Sequence, residues 1–125
     1  MNRLYPTEDD FEAVIRIFRP DEGGRKNPPF NGIRWDLCYA GDTPQEALWA
    51  IWPDFTDNQG DSLPTNAALP VDLELSARMT ILNNEMRVQV HQQRAMVGVK
   101  FFCHEGPKAV AECRKTKITG LFHAR

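Results

Sequence analysis

Long apolar runs are missing from this sequence, and so is the pattern of a secretion signal. No stretch of about 18 residues is apolar throughout, and no hydrophobic segment follows Arg3 near the start. We therefore expect neither a transmembrane helix nor a signal peptide. The location we expect is the cytoplasm.

Cysteine is scarce, and its few copies follow no known framework. Cys38, Cys103 and Cys113 are odd in number and form no C-x-x-C pair, so neither a disulfide scaffold nor a zinc ribbon is indicated. We expect reduced thiols. With His104 and His123, the last two cysteines could supply four metal ligands, but the spacing fits no standard zinc pattern. We predict no metal and no cofactor.

The composition is that of one globular domain, and the charge is unevenly distributed. The chain has 125 residues, of which 42% are hydrophobic and 26% charged, so we expect a single domain over residues 1–125. Residues 1–86 carry 7 Lys and Arg against 15 Asp and Glu (net −8), and residues 87–125 carry 8 against 2 (net +6), which sums to −2. A basic part is typical of nucleic-acid or acidic-protein binding, but in a folded domain the two parts can also neutralise each other.

Apolar and polar residues alternate along much of the chain, which predicts β-strands. The predicted strands cover residues 11–18, 33–40, 71–76, 86–91, 100–105 and 108–117. Residues 79–82 either extend the third strand or begin another after a bend. The last two flank Gly106-Pro107, which is typical of a closing hairpin. His91 falls on the outward row of its strand, so we expect it on the surface. Many short strands at close spacing favour an all-β barrel or sandwich.

Two connecting segments differ from this pattern. Residues 43–53 begin with Thr43, Pro44 and Glu46, which is typical of a capped helix start, while the later residues alternate as in a strand. We predict a helical turn that leads into a short strand. Residues 54–70 are rich in turn-forming residues and are predicted to be an exposed loop.

Glycines, basic residues and a proline-phenylalanine pair are concentrated after the first strand. Within FEAVIRIFRPDEGGRKNPPFNGIRWDLCY, Glu22-Gly23-Gly24-Arg25 is followed by Pro29-Phe30 and by Gly32-x-Arg34. This order resembles the start of the third, C-terminal domain of elongation factor Tu. The stretch FFCHEGPKAVAECRKTKI resembles the last hairpin of that domain. The resemblance covers residues 11–121, except for a middle segment over 42–70 that does not align.

The resemblance implies a small closed antiparallel β-barrel of about six strands, in agreement with the alternation described above. In elongation factor Tu the GTPase chemistry lies in a separate domain, and the third domain contacts aminoacyl-tRNA, the GTPase domain and partner proteins. This chain contains no G-x-x-x-x-G-K-[ST] phosphate-binding loop, so we expect no GTP binding. By resemblance, the property that transfers is binding.

The predicted partner-binding residues lie in the loop after the first strand and in the last hairpin. They are Gly23, Gly24, Arg25, Lys26, Asn27, Phe30, Arg34, Lys108 and Arg114. Paired glycines can expose backbone N–H groups, and the basic residues beside them can meet phosphates or carboxylates. Arg25 can equally be structural and brace the loop against Glu22 or a carbonyl group.

Departures from the family pattern weaken the case for tRNA. Arg34-Trp35-Asp36 stands where the family has R-P-Q, which places a carboxylate where a neutral amide would face a phosphate backbone. Ala111-x-Cys113 replaces a G-x-G and adds side chains where the backbone could approach a partner. Asn27 replaces a threonine and keeps the capacity for hydrogen bonds. A protein partner is therefore favoured over tRNA.

The three tryptophans have two interpretations. Trp35, Trp49 and Trp52 could stack on bases, but indoles in half-buried strands more often belong to a core. No serine, cysteine or histidine arrangement suggests a nucleophile with its base, so we expect a protein that is not an enzyme.

Two functions follow from these observations. The first is a non-catalytic binding module that resembles the third domain of elongation factor Tu and binds a protein or a tRNA-type partner of the translation apparatus. The alternative is an immunity or antitoxin protein that neutralises a basic toxin by direct binding. It rests on carboxylates that are close together in the sequence: Glu8, Asp9, Asp10, Glu12 and Asp21.

Overall fold

The computed structural model describes residues 2–125, which form a closed six-stranded antiparallel β-barrel. Its strands are β1 (Phe11–Ile17), β2 (Trp35–Tyr39), β3 (Trp49–Thr56), β4 (Glu74–Ile81), β5 (Lys100–Glu105) and β6 (Lys108–Ile118). The order around the barrel is β1-β4-β3-β2-β5-β6, and β6 pairs with β1 to close it. The expected all-β barrel of about six strands is confirmed, including the hairpin around Gly106-Pro107.

The connections alternate between the two ends of the barrel. Ile17 pairs with Ala111 and Asp36 with His104, both near the β5–β6 turn. We call this the loop end, and it carries the connections 18–34, 57–73 and 106–107. The opposite end, the cap end, carries the connections 40–48 and 82–99. In the described part of the chain, no helix has the length and hydropathy needed to cross a membrane.

Inward-facing residues fill the barrel as the alternation predicts. In β1, every second residue from Phe11 to Ile17 is buried, and those between are partly exposed. Phe11 packs edge-on against Phe101 with ring centroids 5.7 Å apart. Complete burial of one such side chain contributes about 1.5–3 kcal/mol. The hydrophobic effect on alternate residues therefore determines which face of each strand points inward.

The predicted strand over residues 86–91 is wrong. This segment forms helix α1 (Asn84–Gln89) and a 3-10 turn (His91–Arg94). The Asn83 side chain caps the helix by accepting a hydrogen bond from the Met86 N–H at 3.1 Å. Over so short a segment the cap outweighs the alternation. His91, expected on the surface, is fully buried.

The segment 54–70 is exposed only in part. β3 continues to Thr56, so Asp54 and Phe55 are buried, and Leu69 is buried as well. The Asn31 side chain accepts a hydrogen bond from the Phe55 N–H and donates to the Phe55 carbonyl oxygen. This long-range contact is absent from any local sequence pattern.

The neighbouring predictions agree more closely with the structure. A single turn forms where the Thr43 carbonyl oxygen accepts hydrogen bonds from the N–H groups of Glu46 and Ala47, and β3 follows it as expected. β4 begins at Glu74, three residues later than the predicted start at residue 71. Asp72 adopts a φ of +61°, which interrupts extended backbone.

Candidate binding surface at the loop end

The two glycines that follow β1 form a tight turn. A 3-10 turn (Pro20–Glu22) ends at Gly23, whose φ is +89°, a value that favours glycine. A Cβ on Gly24 would lie 2.7 Å from the Arg19 carbonyl oxygen and closer still to that of Phe18. Both N–H groups donate within the loop, Gly23 to Pro20 and Gly24 to Arg19. The glycines therefore shape the loop, and the expectation that they expose free N–H groups is wrong.

Ion pairs neutralise the first part of the loop. The Glu22 carboxylate lies 2.8 Å from Arg16 and accepts a hydrogen bond from the Arg19 N–H at 2.7 Å. The hydrogen bond from Arg16 holds the pKa of the Glu22 carboxyl below its usual value. Asp72, from the other loop at this end, bridges Arg16 and Arg19 at 2.8 and 3.0 Å. These residues therefore pair their charges with one another within the fold.

Glu105, the last residue of β5, joins the two sequence motifs. Its Oε2 lies 2.8 Å from Arg25 Nε and accepts a hydrogen bond from Trp35 Nε1 at 2.9 Å. Lys108 is the backbone neighbour of Glu105 in the strand register across the hairpin turn, without an ion pair between their side chains. Arg25 thus has the structural role considered above, but it braces the loop against Glu105 rather than Glu22. The loop and the hairpin, far apart in sequence, meet at one carboxylate.

Two lysines neighbour the members of this ion pair, Lys26 next to Arg25 in the chain and Lys108 opposite Glu105 in the strand register. Lys26, Asn27 and Lys108 are exposed, and no carboxylate of residues 2–125 forms an ion pair with either lysine. Phe30 is 47% exposed, although its backbone is bridged to Ala68. An aromatic side chain and two unneutralised lysines are therefore presented by ordered backbone.

Arg34 extends the surface along the outer wall. It is exposed, and its guanidinium lies 3.8 Å from the centroid of the Trp52 ring, which also contacts Tyr5 with centroids 5.2 Å apart. Such a cation–π contact holds the charge in place while leaving it in solvent. Trp35 belongs to the core and Trp49 packs against it, as predicted, whereas Trp52 lies on the outer face.

All the predicted site residues except Arg114 lie at the loop end, either in the connection 18–34 or at the first residue of β6. We define the loop-end surface as Lys26, Asn27, Phe30, Arg34 and Lys108. Gly23, Gly24 and Arg25 support it from within the fold. Arg114 does not belong to it, because it lies farther along β6, opposite Lys100.

A buried polar cluster at the cap end was not predicted. Lys115 is fully buried, and its Nζ donates to Tyr39 Oη and to the Arg94 carbonyl oxygen, both at 2.9 Å. Tyr39 Oη in turn lies 2.8 Å from His91 Nδ1. The ammonium can only donate, so the phenol oxygen accepts from it and the phenol proton is available for Nδ1; when the phenol donates to Nδ1, the neutral imidazole carries its own proton on Nε2. Nε2 has no partner among residues 2–125.

Burial shifts the titration of all three groups in this cluster. It lowers the pKa of His91 to about 3 and the pKa of Lys115 to about 8, and it raises the pKa of Tyr39. The position of Lys115 in the strand could have indicated its burial, because Lys115 lies in the inward row of β6 together with Cys113. The type of residue, a lysine, pointed to the surface instead.

The candidate metal ligands do not converge. Cys103 and Cys113 face each other across the hairpin with their sulfurs 3.6 Å apart, whereas His123 contacts Glu8 at 3.0 Å. Between residues 2 and 125, no group of three or more histidine, cysteine, aspartate or glutamate side chains is placed to hold a metal ion. Burial raises the pKa of the Cys113 thiol, which makes it a weak ligand and a weak nucleophile.

The carboxylates that suggested an acidic inhibitor are mostly paired within the fold. The pairs are Glu8 with His123, Asp9 with Arg3, Asp10 with Arg87 and Arg125, and Asp21 with Arg19. Asp10 is completely buried. Four of the five carboxylates therefore have an ion-pair partner within the fold, whereas Glu12 forms no ion pair among residues 2–125.

Comparisons with known proteins add no assignment. No protein-family model matches this sequence, and no curated protein matches it. A function must therefore be argued from the loop-end surface itself.

Proposed function

We propose that this protein is a non-catalytic binding module, similar to the third domain of elongation factor Tu, that binds a partner of the translation apparatus. The loop-end surface is the proposed contact. The observation that carries the proposal is the Arg25–Glu105 ion pair at 2.8 Å. It joins the two segments on which the resemblance rests into one ordered surface.

Charge and exposure define the kind of partner. Lys26 and Lys108 lack internal counter-ions among residues 2–125, and Arg34 is held in solvent by its contact with Trp52. These cations attract an anionic surface and accelerate its association. Phe30 offers an exposed aromatic side chain of the type that anchors protein interfaces. The set supplies cations and an exposed aromatic side chain, which are the contacts expected of a binding surface.

An acidic protein surface suits these residues better than tRNA does. Affinity for a nucleic-acid backbone grows with the number of phosphates neutralised, and the loop-end surface has only three cations. Asp36 follows Arg34 by two residues on β2 and is partly exposed, so it opposes a phosphate near Arg34. We therefore assign a protein partner first, with tRNA as the competing outcome.

A pull-down with a matched control tests the proposal. Three immobilised proteins are incubated with purified tRNA and with purified translation factors over a salt series. They are the wild type, a Lys26→Glu/Lys108→Glu variant and a Lys117→Glu variant. Lys117 is exposed near the cap-end terminus of β6 and serves as the control. We expect the wild type and the control to retain a translation factor that the double variant releases.

Each other result has a defined meaning. Retention of tRNA alone, sensitive to salt and to the double variant, would assign an RNA partner. Retention of neither class by the wild type, or equal retention by all three proteins, would refute the proposal.

A further inference from the structure

A groove lies on the outer wall of the barrel, separate from the loop-end surface. Outward side chains of β1, β5 and β6 surround a groove of about 320 Å³. The strand register arranges them in two rows. The upper row is Val14, Arg114 and Lys100, and the lower row is Arg16, Glu112 and Phe102. We call this site the wall groove.

In the lower row, ion pairs within the fold neutralise the positive charge of Arg16. Arg16 lies 2.7 Å from Glu112 and 2.8 Å from both Glu22 and Asp72. Three carboxylates therefore surround one guanidinium and neutralise its charge, so Arg16 does not attract an anionic ligand. Arg16 and Glu112 form a rigid wall of the groove.

In the upper row, the positive charges of Lys100 and Arg114 are not neutralised by close ion pairs. Lys100 and Arg114 are directly opposite each other on β5 and β6, an arrangement of like charges that destabilises a strand pair. The nearest carboxylate to Arg114 is Glu74, at 4.0 Å, and both side chains are largely exposed. No carboxylate within residues 2–125 pairs with Lys100. An anion placed between Lys100 and Arg114 would relieve this repulsion.

We propose that the wall groove binds a segment of a protein partner that presents one carboxylate to Lys100 and Arg114 and an adjacent apolar side chain to Val14 and Phe102. Both apolar residues are half-buried beside the cations and line the groove. The volume lies at the lower end of the range for small-ligand sites, which suits one or two side chains.

The neighbouring carboxylates limit the ligand to a single negative charge. Glu74 and Glu112 line the same groove, so a chain with a phosphate on every residue would be repelled from both sides of the cation pair. A carboxylate flanked by apolar residues avoids that repulsion. An acidic peptide therefore fits the wall groove, and single-stranded RNA does not.

Chemical-shift mapping on the full-length ¹⁵N-labelled protein tests this site. The probes are the peptide acetyl-Gly-Leu-Asp-Phe-Gly-amide, the same peptide with Asn in place of Asp, and a uridine hexanucleotide. We expect the Asp peptide to shift the amide signals of Val14, Phe102 and Arg114, with a dissociation constant of about 1 mM. The Asn peptide should bind about fivefold more weakly because it lacks the charge.

Variants locate the binding and separate it from the loop-end surface. Lys100→Gln/Arg114→Gln should lose about fivefold in affinity for the Asp peptide, whereas Lys117→Gln, on the same strand outside the groove, should bind as the wild type does. The unchanged spectrum of each free variant verifies its fold. Any of four results would overturn the proposal. The Asp and Asn peptides could cause equal shifts, or the double variant could bind as well as the wild type. No peptide could cause shifts, or only the oligonucleotide could shift the signals of these residues. Lys26 and Lys108 are unchanged in these variants, so the result does not depend on the proposed function.

Discussion

The buried imidazole of His91 predicts a loss of stability in mild acid. Burial, with a smaller contribution from the nearby Lys115 charge, lowers its pKa from an ordinary 6.5 to about 3. Between these two values the unfolded chain binds a proton that the folded chain does not, so the free energy of unfolding falls as the pH falls. The stability is fully present above pH 6.5, the ordinary value, and is lost as the pH falls towards 3.

The size of the effect follows from the shift. At about 1.36 kcal/mol per pH unit, lowering the pH from about 7 to about 5 removes about 2 kcal/mol from the free energy of unfolding. His91 is fully buried, so solvent screening does not reduce this figure. A loss of this size is a large fraction of the stability of a small domain.

A His91→Asn variant isolates this contribution. The amide oxygen of asparagine can replace Nδ1 as the acceptor for Tyr39, whose Oη lies 2.8 Å from it, but asparagine does not titrate. We expect the variant to be less stable at neutral pH because the ring contact with Trp49, 5.7 Å between centroids, is lost. Its additional loss between pH 7 and pH 5 should be smaller than that of the wild type by about 2 kcal/mol.

Urea unfolding at a series of pH values, followed by tryptophan fluorescence, measures both quantities. The control is His123→Asn, which replaces an exposed histidine whose side chain contacts Glu8 and leaves the Tyr39–His91 contact intact. It should keep the pH dependence of the wild type. An undiminished pH dependence in His91→Asn would refute the reasoning, because another group would then have to bind the proton.

Two further substitutions test the fold. Gly24→Ala should destabilise the protein by about 2 kcal/mol or more, because the new Cβ would overlap the Phe18 carbonyl oxygen. Chemical denaturation measures the change in the free energy of unfolding. An unchanged stability would contradict this prediction and show that the loop can shift. Asp10→Asn should cost about 3 kcal/mol because it leaves Arg87, 2.7 Å away and buried, without its counter-ion. Thermal and urea unfolding of this variant check that value, and a loss below about 1 kcal/mol would contradict it.

Local patterns in the sequence were sufficient for most of the strands. The alternation in β1 and β2 identified their inward faces, and Gly106-Pro107 located the last hairpin. These features depend on residues one or two positions apart, which is the range over which a strand exposes its two faces. The same rule failed for α1, where the Asn83 cap and the burial of Arg87 against Asp10 favoured a helix.

The sequence predicted the proposed binding residues by their type, but it did not predict their arrangement. The alternation in the sequence by itself predicted an all-β barrel or sandwich with a basic, glycine-containing loop after its first strand, and the resemblance added that the barrel is closed. Only the tertiary structure placed Arg25 on Glu105, separated Arg114 from the other predicted residues and set it opposite Lys100. It also buried Lys115 and His91 around Tyr39. Each of these contacts joins residues that closure of the barrel brings together, and the registers of distant strands are not encoded in any local pattern.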